Sequence, residues 1–236
     1  MLEYRILRAF GSEYVIRAGH LAWLSTKEDA VPDPSSDIAF TPTIKAIQAV
    51  RGSRYAYAKI EARGGFRTTI TDDLVDFLAG VDTAYLATTN ASGQPYAQHR
   101  GGPKGFLRVI GDRTIGFADY TGNRQYISTG NLAENDKAFL FLMDYANRRR
   151  IKIWGRARVT DDAAMISRLM PAGYRAKPEQ AIMFEVEAWD VNCPQHIPQK
   201  IDAAEVQATL DRLDARIAVL EAENAALRQH LEGNPG

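Results

Sequence analysis

The sequence predicts a mainly β protein with helices: a small antiparallel barrel followed by a C-terminal coiled-coil helix. Three observations carry this expectation. Six or so short strand patterns separated by turn signals fill residues 83–188, a heptad repeat runs from Val206 to Leu231, and the 236 residues are 45% apolar, enough to fill a core.

The strand patterns come first. Thr83–Thr89 and Pro95–His99 flank Asn90-Ala91-Ser92-Gly93, and Phe106–Ile110 and Thr114–Ala118 flank Gly111-Asp112-Arg113, both hairpin signals. Ala138–Met143 is a short continuous apolar run. Ile151, Ile153, Gly155, Ala157 and Val159 alternate with Lys152, Trp154, Arg156 and Arg158, the period of a half-buried strand. Ala181–Ala188 supplies a last strand, and one helix is expected between Gly122 and Leu132. Strands this short with a single helix among them favour a barrel over an alternating α/β sheet.

Upstream, the first 80 residues read as mixed helix and loop. Val31-Pro32-Asp33-Pro34-Ser35-Ser36-Asp37 is a proline-punctuated loop, and Thr41-Pro42 opens a helix carrying Ile44, Ile47 and Val50. Thr71-Asp72-Asp73 supplies a cap and an acidic first turn for a short helix ending near Gly80. The expected organisation is an extension over residues 1–70 packed on the barrel, the barrel itself over 71–200, and a tail over 201–236.

That tail has a regular apolar spacing. Val206, Leu210, Leu213, Ile217, Leu220, Asn224, Leu227 and Leu231 alternate steps of four and three, which puts Leu210, Ile217, Asn224 and Leu231 at heptad position a and the rest at d. A helix packed on a globular core carries a wider stripe. The narrow seam therefore predicts a parallel homodimeric coiled coil over residues 203–232; a helix folded back on its own domain is the alternative. In the parallel pair Arg216 meets Glu221 of the second copy and Glu223 meets Arg228, both of opposite sign, and a buried Asn at an a position favours two strands in register.

Charge and composition exclude several classes. Lys+Arg and Asp+Glu both number 29, so the formal net charge is zero, which argues against a nucleic-acid binder. The balance is uneven: from Asp202 onward seven acids face three bases, a net −4 that leaves +4 on the remainder. Cys193 is the single cysteine, so no intramolecular disulfide forms and a cytoplasmic setting is expected. No apolar run approaches the roughly 20 residues that span a bilayer, so no membrane association is expected.

Signature motifs for a Rossmann site, a P-loop, a zincin and an α/β-hydrolase are missing, and the four histidines are scattered, so nothing suggests a metal. What stands out is arginine. Arg148, Arg149, Arg150, Lys152, Arg156 and Arg158 follow one another with no acid between them, Arg100, Lys104 and Arg108 precede them, and Arg124 follows Thr121-Gly122-Asn123 at an expected helix start. Each alone fits a solvated strand face. Together, converging on helix N–H groups, they suit a phosphate monoester, and Arg100-Gly101-Gly102-Pro103-Lys104-Gly105 offers backbone that a planar ligand can approach.

Four ordered blocks carry a family resemblance: Gln98-His99-Arg100-Gly101-Gly102-Pro103-Lys104-Gly105-Phe106, Phe117-Ala118-Asp119-Tyr120-Thr121-Gly122-Asn123-Arg124, Ser128-Thr129-Gly130-Asn131-Leu132 and Ile151-Lys152-Ile153-Trp154-Gly155-Arg156-Ala157. Over about residues 70–195 the chain resembles the pyridoxamine 5'-phosphate oxidase-related, FMN-binding split-barrel proteins. The resemblance implies a homodimer of split barrels with FMN at the subunit interface. It implies phosphate contacts from Asn123, Arg124 and Ser128, places His99 and Arg100 along the flavin and ribityl chain, and puts Arg150 at the isoalloxazine, where a cation stabilises the anionic reduced ring. Gly101, Tyr120 and Asn131 complete the candidate set, and His99 is the best candidate for proton transfer.

The strand Phe106-Leu107-Arg108-Val109-Ile110 and the turn Gly122-Asn123-Arg124 depart from the oxidase's own R-x-x-L-L-K strand and Ser-Arg-Lys clamp. The resemblance therefore carries FMN binding rather than pyridoxamine phosphate oxidation. The implied activity is an FMN-dependent oxidoreductase acting on an unidentified small molecule, with NADH or NADPH as the implied electron donor. A non-catalytic flavin-binding protein whose coiled coil recruits a partner is the alternative, and related cofactors are FAD, deazaflavin and haem. Cys193 lies either near this site or buried as an inert thiol.

Overall fold

A computed structural model describes residues 5–9, 12–17, 20–23 and 33–232, and the chain divides into two units, Met1–Asp33 and Pro34–Gly236. The first unit holds a three-stranded antiparallel meander of β1 (Arg5–Ala9), β2 (Ser12–Arg17) and β3 (His20–Trp23). This differs from the helix and loop expected there. Two residues ending in glycine separate Ala9 from Ser12 and Arg17 from His20, the spacing of tight hairpins, and the register pairs those flanking residues directly. Val31 and Pro32 of the proline-punctuated loop lie outside the described residues.

The second unit opens with a 3₁₀ turn (Ser35–Ile38) and three helices, α1 (Pro42–Val50), α2 (Arg54–Glu61) and α3 (Asp72–Gly80). Thr41 caps α1 as its sequence predicts, its hydroxyl accepting from the Ile44 N–H at 3.4 Å. Thr71 precedes α3 without such a bond. α3 buries Leu74, Phe77 and Leu78 against the barrel core, whereas the stripe that predicts α1 faces outward, with Ile47 56% and Val50 86% exposed. Helical period fixes which residues share a face, and the surroundings decide whether that face is covered.

Seven strands form the main sheet: β4 (Thr83–Thr89), β5 (Pro95–Gly101), β6 (Arg108–Gly111), β7 (Thr114–Tyr120), β8 (Lys137–Asp144), β9 (Arg149–Thr160) and β10 (Pro178–Val191). Their order is β5-β4-β8-β9-β10-β7-β6, and every neighbouring pair is antiparallel. Phe106 and Leu107, expected to open β6, instead precede it and are buried in the core. Two short helices complete the unit, α4 (Ile127–Glu134) after β7 and α5 (Ala163–Leu169) after β9, and a long one, α6 (Ala203–Glu232), ends it. No helix among the described residues is long and apolar enough to cross a membrane.

The sheet is a curled, split barrel. In a flat sheet β5 and β7 would lie about 24 Å apart, five strand spacings. Yet Arg100 of β5 forms an ion pair with Asp119 of β7. Ile115, Phe117, Leu86, Leu140, Ile153 and Phe184 fill the enclosed space. The segment before α3 packs against β9 and β10: Phe66 stacks on Trp154, on the outer face, at 5.4 Å, and the buried Trp189 indole donates to the Thr69 carbonyl at 2.8 Å.

Curling brings backbones close at Gly155, where a methyl group would lie 2.0 Å from the Glu185 carbonyl oxygen and 2.7 Å from the Phe184 ring. The atom in the way is backbone, so no rotamer relieves the clash. Gly155→Ala is expected to lower stability by about 1–3 kcal/mol, the usual cost of overpacking, read as a lower denaturation midpoint in urea; an unchanged midpoint would show that β9 and β10 separate freely there.

Candidate functional site

Where the two ends of the sheet meet, a cavity of ≈ 210 Å³ opens. That is below the roughly 300–1,000 Å³ of sites that enclose a whole small molecule, so it suits one end of a ligand. β5 contributes Gln98 and Arg100, β7 Asp119 and Tyr120, the following loop Asn123, Arg124 and Tyr126, α4 Ser128 and Thr129, and β10 Glu179. The elements are pinned together by polar contacts. Buried Asp119 pairs with Arg100 and accepts from the Gln180 amide at 2.8 Å; the same amide donates to the Thr129 hydroxyl at 2.9 Å, and Ser128 donates to the Gln98 carbonyl oxygen at 2.9 Å.

The loop into α4 is left-handed twice, at Arg124 (φ 58°) and Tyr126 (φ 54°). Such backbone is held only where contacts over-determine it. Here the Arg124 Nε donates to the Tyr126 hydroxyl at 3.1 Å, and that hydroxyl donates to Glu179 at 2.9 Å. The helix begins at Ile127, so Asn123 and Arg124 sit in this loop rather than in the first helical turn as the sequence reading expects. No side chain caps α4, which leaves N–H groups directed toward the loop.

One polar atom beside the cavity, the Arg100 Nε, is buried without a hydrogen-bond partner; the Tyr120 hydroxyl, also unpartnered, lies on the opposite face of β7 from Asp119, among Tyr174, Ala118, Leu169 and Met183. Burial holds the Tyr120 hydroxyl above its ordinary pKa, nearby Tyr174 adds to this, and Arg108 opposes it.

A second surface lies on the outer face of the same sheet. Register aligns three rows across β5, β4, β8 and β9: Ala97, Ala87, Phe139 and Trp154; His99, Tyr85, Phe141 and Lys152; and, at the end, Gly101 with Thr83 on one side and Met143 with Arg150 on the other. Phe139, Phe141 and Trp154 are half-buried, and Phe139 lies 5.2 Å from the Trp154 ring. His99 meets Tyr85 edge-on at 5.8 Å, and its ring lies where a methyl group on Gly101 would be, 2.8 Å away. The Arg150 Nε is buried and unpartnered.

The candidate residues thus fall into two groups. Arg100, Tyr120, Asn123, Arg124 and Ser128 line the cavity, whereas His99, Gly101 and Arg150 lie on the outer face. Asn131 reaches neither; it is buried and donates to the Thr88 hydroxyl at 3.0 Å, tying α4 to β4. Asp119, Gln180 and Glu179 organise the cavity and stand outside the candidate set. Asp119, an acid ending an apolar strand, carries a sequence signal; Glu179 and Gln180 carry none. Cys193 is exposed just past β10 rather than buried.

Residues 70–193, more than half of the chain, match the family model described as pyridoxamine 5'-phosphate oxidase. The chain belongs to the pyridoxamine 5'-phosphate oxidase family. No curated protein matches it. Similar solved structures include HupZ of Group A Streptococcus (19% identity, TM-score 0.42, covering 56% of this chain and 99% of that one). An FMN-binding protein of Syntrophomonas wolfei has 14% identity and a TM-score of 0.41, covering 61% and 97% of the two chains. An F420 reductase has 17% identity and a TM-score of 0.37, covering 49% and 94%. The family binds flavin, and the unpartnered Arg100 and Arg150 atoms fit such a group, since each offers a buried donor that a phosphorylated ring system can satisfy.

Because burial favours the neutral phenol of Tyr120, its contribution to stability is present below about pH 10, the ordinary tyrosine value, and is lost as the pH rises past it. Ultraviolet titration of the protein and of Tyr120→Phe is expected to assign the latest-ionising tyrosine to Tyr120; loss of an early-ionising one instead would contradict the burial.

Proposed function

We propose that this member of the family is an FMN-dependent oxidoreductase, a homodimer that binds FMN at the subunit interface and acts on a small molecule with a reduced nicotinamide nucleotide as electron donor. The observation that carries the reading is the cavity, where Arg124, Ser128, the open N-terminus of α4 and the unpartnered Arg100 Nε converge within the family-matched span. When bound, FMN supplies a two-electron carrier that no side chain provides.

The chain's own residues position and tune. Asn123, Arg124 and Ser128 hold the phosphate by charge-assisted hydrogen bonds, with Arg124 steadied through Tyr126 by Glu179. Asp119 and Gln180 fix the Arg100 guanidinium so that its Nε meets the ligand already oriented. On the outer face, Arg150 favours negative charge on the ring and His99 donates or accepts a proton. The aromatic rows beside them supply the apolar surface that a ring and a second subunit cover together. His99 and Arg150 are three strand spacings apart, about 14 Å, so one ring need not touch both within one subunit.

The purified protein is expected to carry or take up FMN, seen as an oxidised-flavin visible spectrum with the released ligand identified by mass, and to be reduced anaerobically by NADH or NADPH. Exclusive uptake of deazaflavin, FAD or haem would overturn the FMN assignment, and bound flavin that no donor reduces would leave a binding protein. Arg124→Ala is expected to weaken FMN about tenfold or more, the scale of a charge-assisted hydrogen bond, and riboflavin little. Equal weakening of both would remove Arg124 from the phosphate contacts.

A further inference from the structure

α6 is one continuous helix of 30 residues, about 45 Å long at 1.5 Å per residue. Every residue from Ala203 to His230 is exposed, including the whole described seam: Leu213 is 55% and Leu227 62% open to solvent. The helix is not folded back on its barrel. Only its first turn is tied to the body, where Lys104 of the glycine-rich loop lies 3.5 Å from Asp202 and 3.8 Å from Glu205.

We propose that this seam is a dimerisation surface whose occupant is α6 of a second copy of the same chain, lying parallel and in register with Asn224 opposite its twin. The occupant follows from complementarity within the helix itself. Two apolar positions per heptad make a stripe too narrow to dock on a globular core and wide enough for one similar helix. Ala208, Ala215 and Ala222 occupy the opposite face and offer no second seam.

The orientation follows from charge and from Asn224. In the parallel pair the flanking contacts are Arg216 with Glu221 and Glu223 with Arg228, each occurring twice and each attractive; Asn224 finds its own side-chain amide across the seam. In the antiparallel alignment that matches the helix ends, Asp214 faces Glu221 twice, which offsets the attraction of Arg216 for Glu223, and Asn224 faces Leu213 with no partner for its amide. A buried amide left without a partner is costly, and so are opposed like charges. The parallel arrangement avoids both.

Orientation matters to the rest of the fold. Coiled-coil axes run about 8–10 Å apart, so parallel helices bring the two Lys104 loops to one end of the coil, whereas antiparallel helices would hold them roughly 45 Å apart. Each loop directly follows Arg100 and Gly101 of β5. Pairing of α6 thus gathers the two β5 ends at one place, and it does so whether or not a flavin is bound.

Full-length chain with Cys193→Ser and Leu220→Cys is the test, with Leu227→Cys as a second d position and Val219→Cys as an outward control, each treated with a mild thiol oxidant and each checked for unchanged helicity by circular dichroism. The expected result is near-complete covalent dimer at Leu220→Cys and Leu227→Cys and several-fold less at Val219→Cys. No cross-link at either d position or in a mixture of Ile217→Cys with Leu220→Cys chains, or equal cross-linking at Val219→Cys, would overturn the interface. Cross-linking confined to a mixture of Ile217→Cys with Leu220→Cys chains would overturn the parallel orientation. None of these readouts involves flavin, so they stand apart from the fate of the functional proposal.

Discussion

The antiparallel pairing of β9 with β10, running from Ala181 opposite Thr160 to Val191 opposite Ile151, is the interaction on which both candidate surfaces depend, because β10 alone joins the two halves of the sheet. On one side it leads through β7 to Asp119 and Tyr120; on the other it leads through β9, β8 and β4 to Arg100. The two halves meet again only because the sheet curls, and at Gly155 the β10 backbone leaves no room for a side chain. The ion pair between Arg100 and Asp119 closes the circuit and builds the cavity in the same contact. Stability and site are therefore linked: loosening β9 from β10 opens the gap that the Arg100 and Asp119 side chains span.

The pleat then decides what each face can do. His99 and Arg100 are neighbours in sequence and point to opposite sides of β5. Arg100 enters a polar, pinned environment in which carboxylates compensate the arginines, Asp119 for Arg100 and Glu179 through Tyr126 for Arg124. An anion arriving there meets oriented donors rather than a bare excess of charge, which favours geometry over simple attraction. His99 enters a flat aromatic face with a different chemistry, apolar at its centre and basic at its β9 edge. One strand thus borders a polar cavity and an aromatic surface at once.

The tail obeys a separate logic. Its acids balance the positive remainder of the chain in number, yet among the described residues only Asp202 and Glu205 approach a base of the barrel, at Lys104. The other charges flank a seam that no part of the described fold covers. Neutrality of the whole chain is the sum of a barrel that carries the excess of arginines, of which Arg100 and Arg124 meet oxygen partners at the cavity, and an acidic helix whose seam is exposed.

Local period was legible in the sequence. Thr83–Thr89 forms β4 with the expected bounds, the alternation from Ile151 to Val159 lies within β9, and the heptads from Val206 onward form one helix, because alternation and heptad spacing reflect the geometry of a single element and need no partner to be read. The family and the barrel were legible too, through four short blocks in order. By itself the sequence determined which segments between residues 83 and 188 are strands, though not the three strands before residue 24, which face of each is apolar, and that arginines gather near a turn before a helix. Only the tertiary structure decided that Arg100 faces Asp119 rather than sharing a surface with His99, that Glu179 and Gln180 from the far end of the chain organise the loop at Arg124, that Asn131 is an anchor, and that Gly155 must lack a side chain. Each of those depends on which strands the curl brings together, and contacts between residues 19 to 61 positions apart, such as Arg100 with Asp119 and Gln180 with Asp119, leave no period in the chain for a sequence to display.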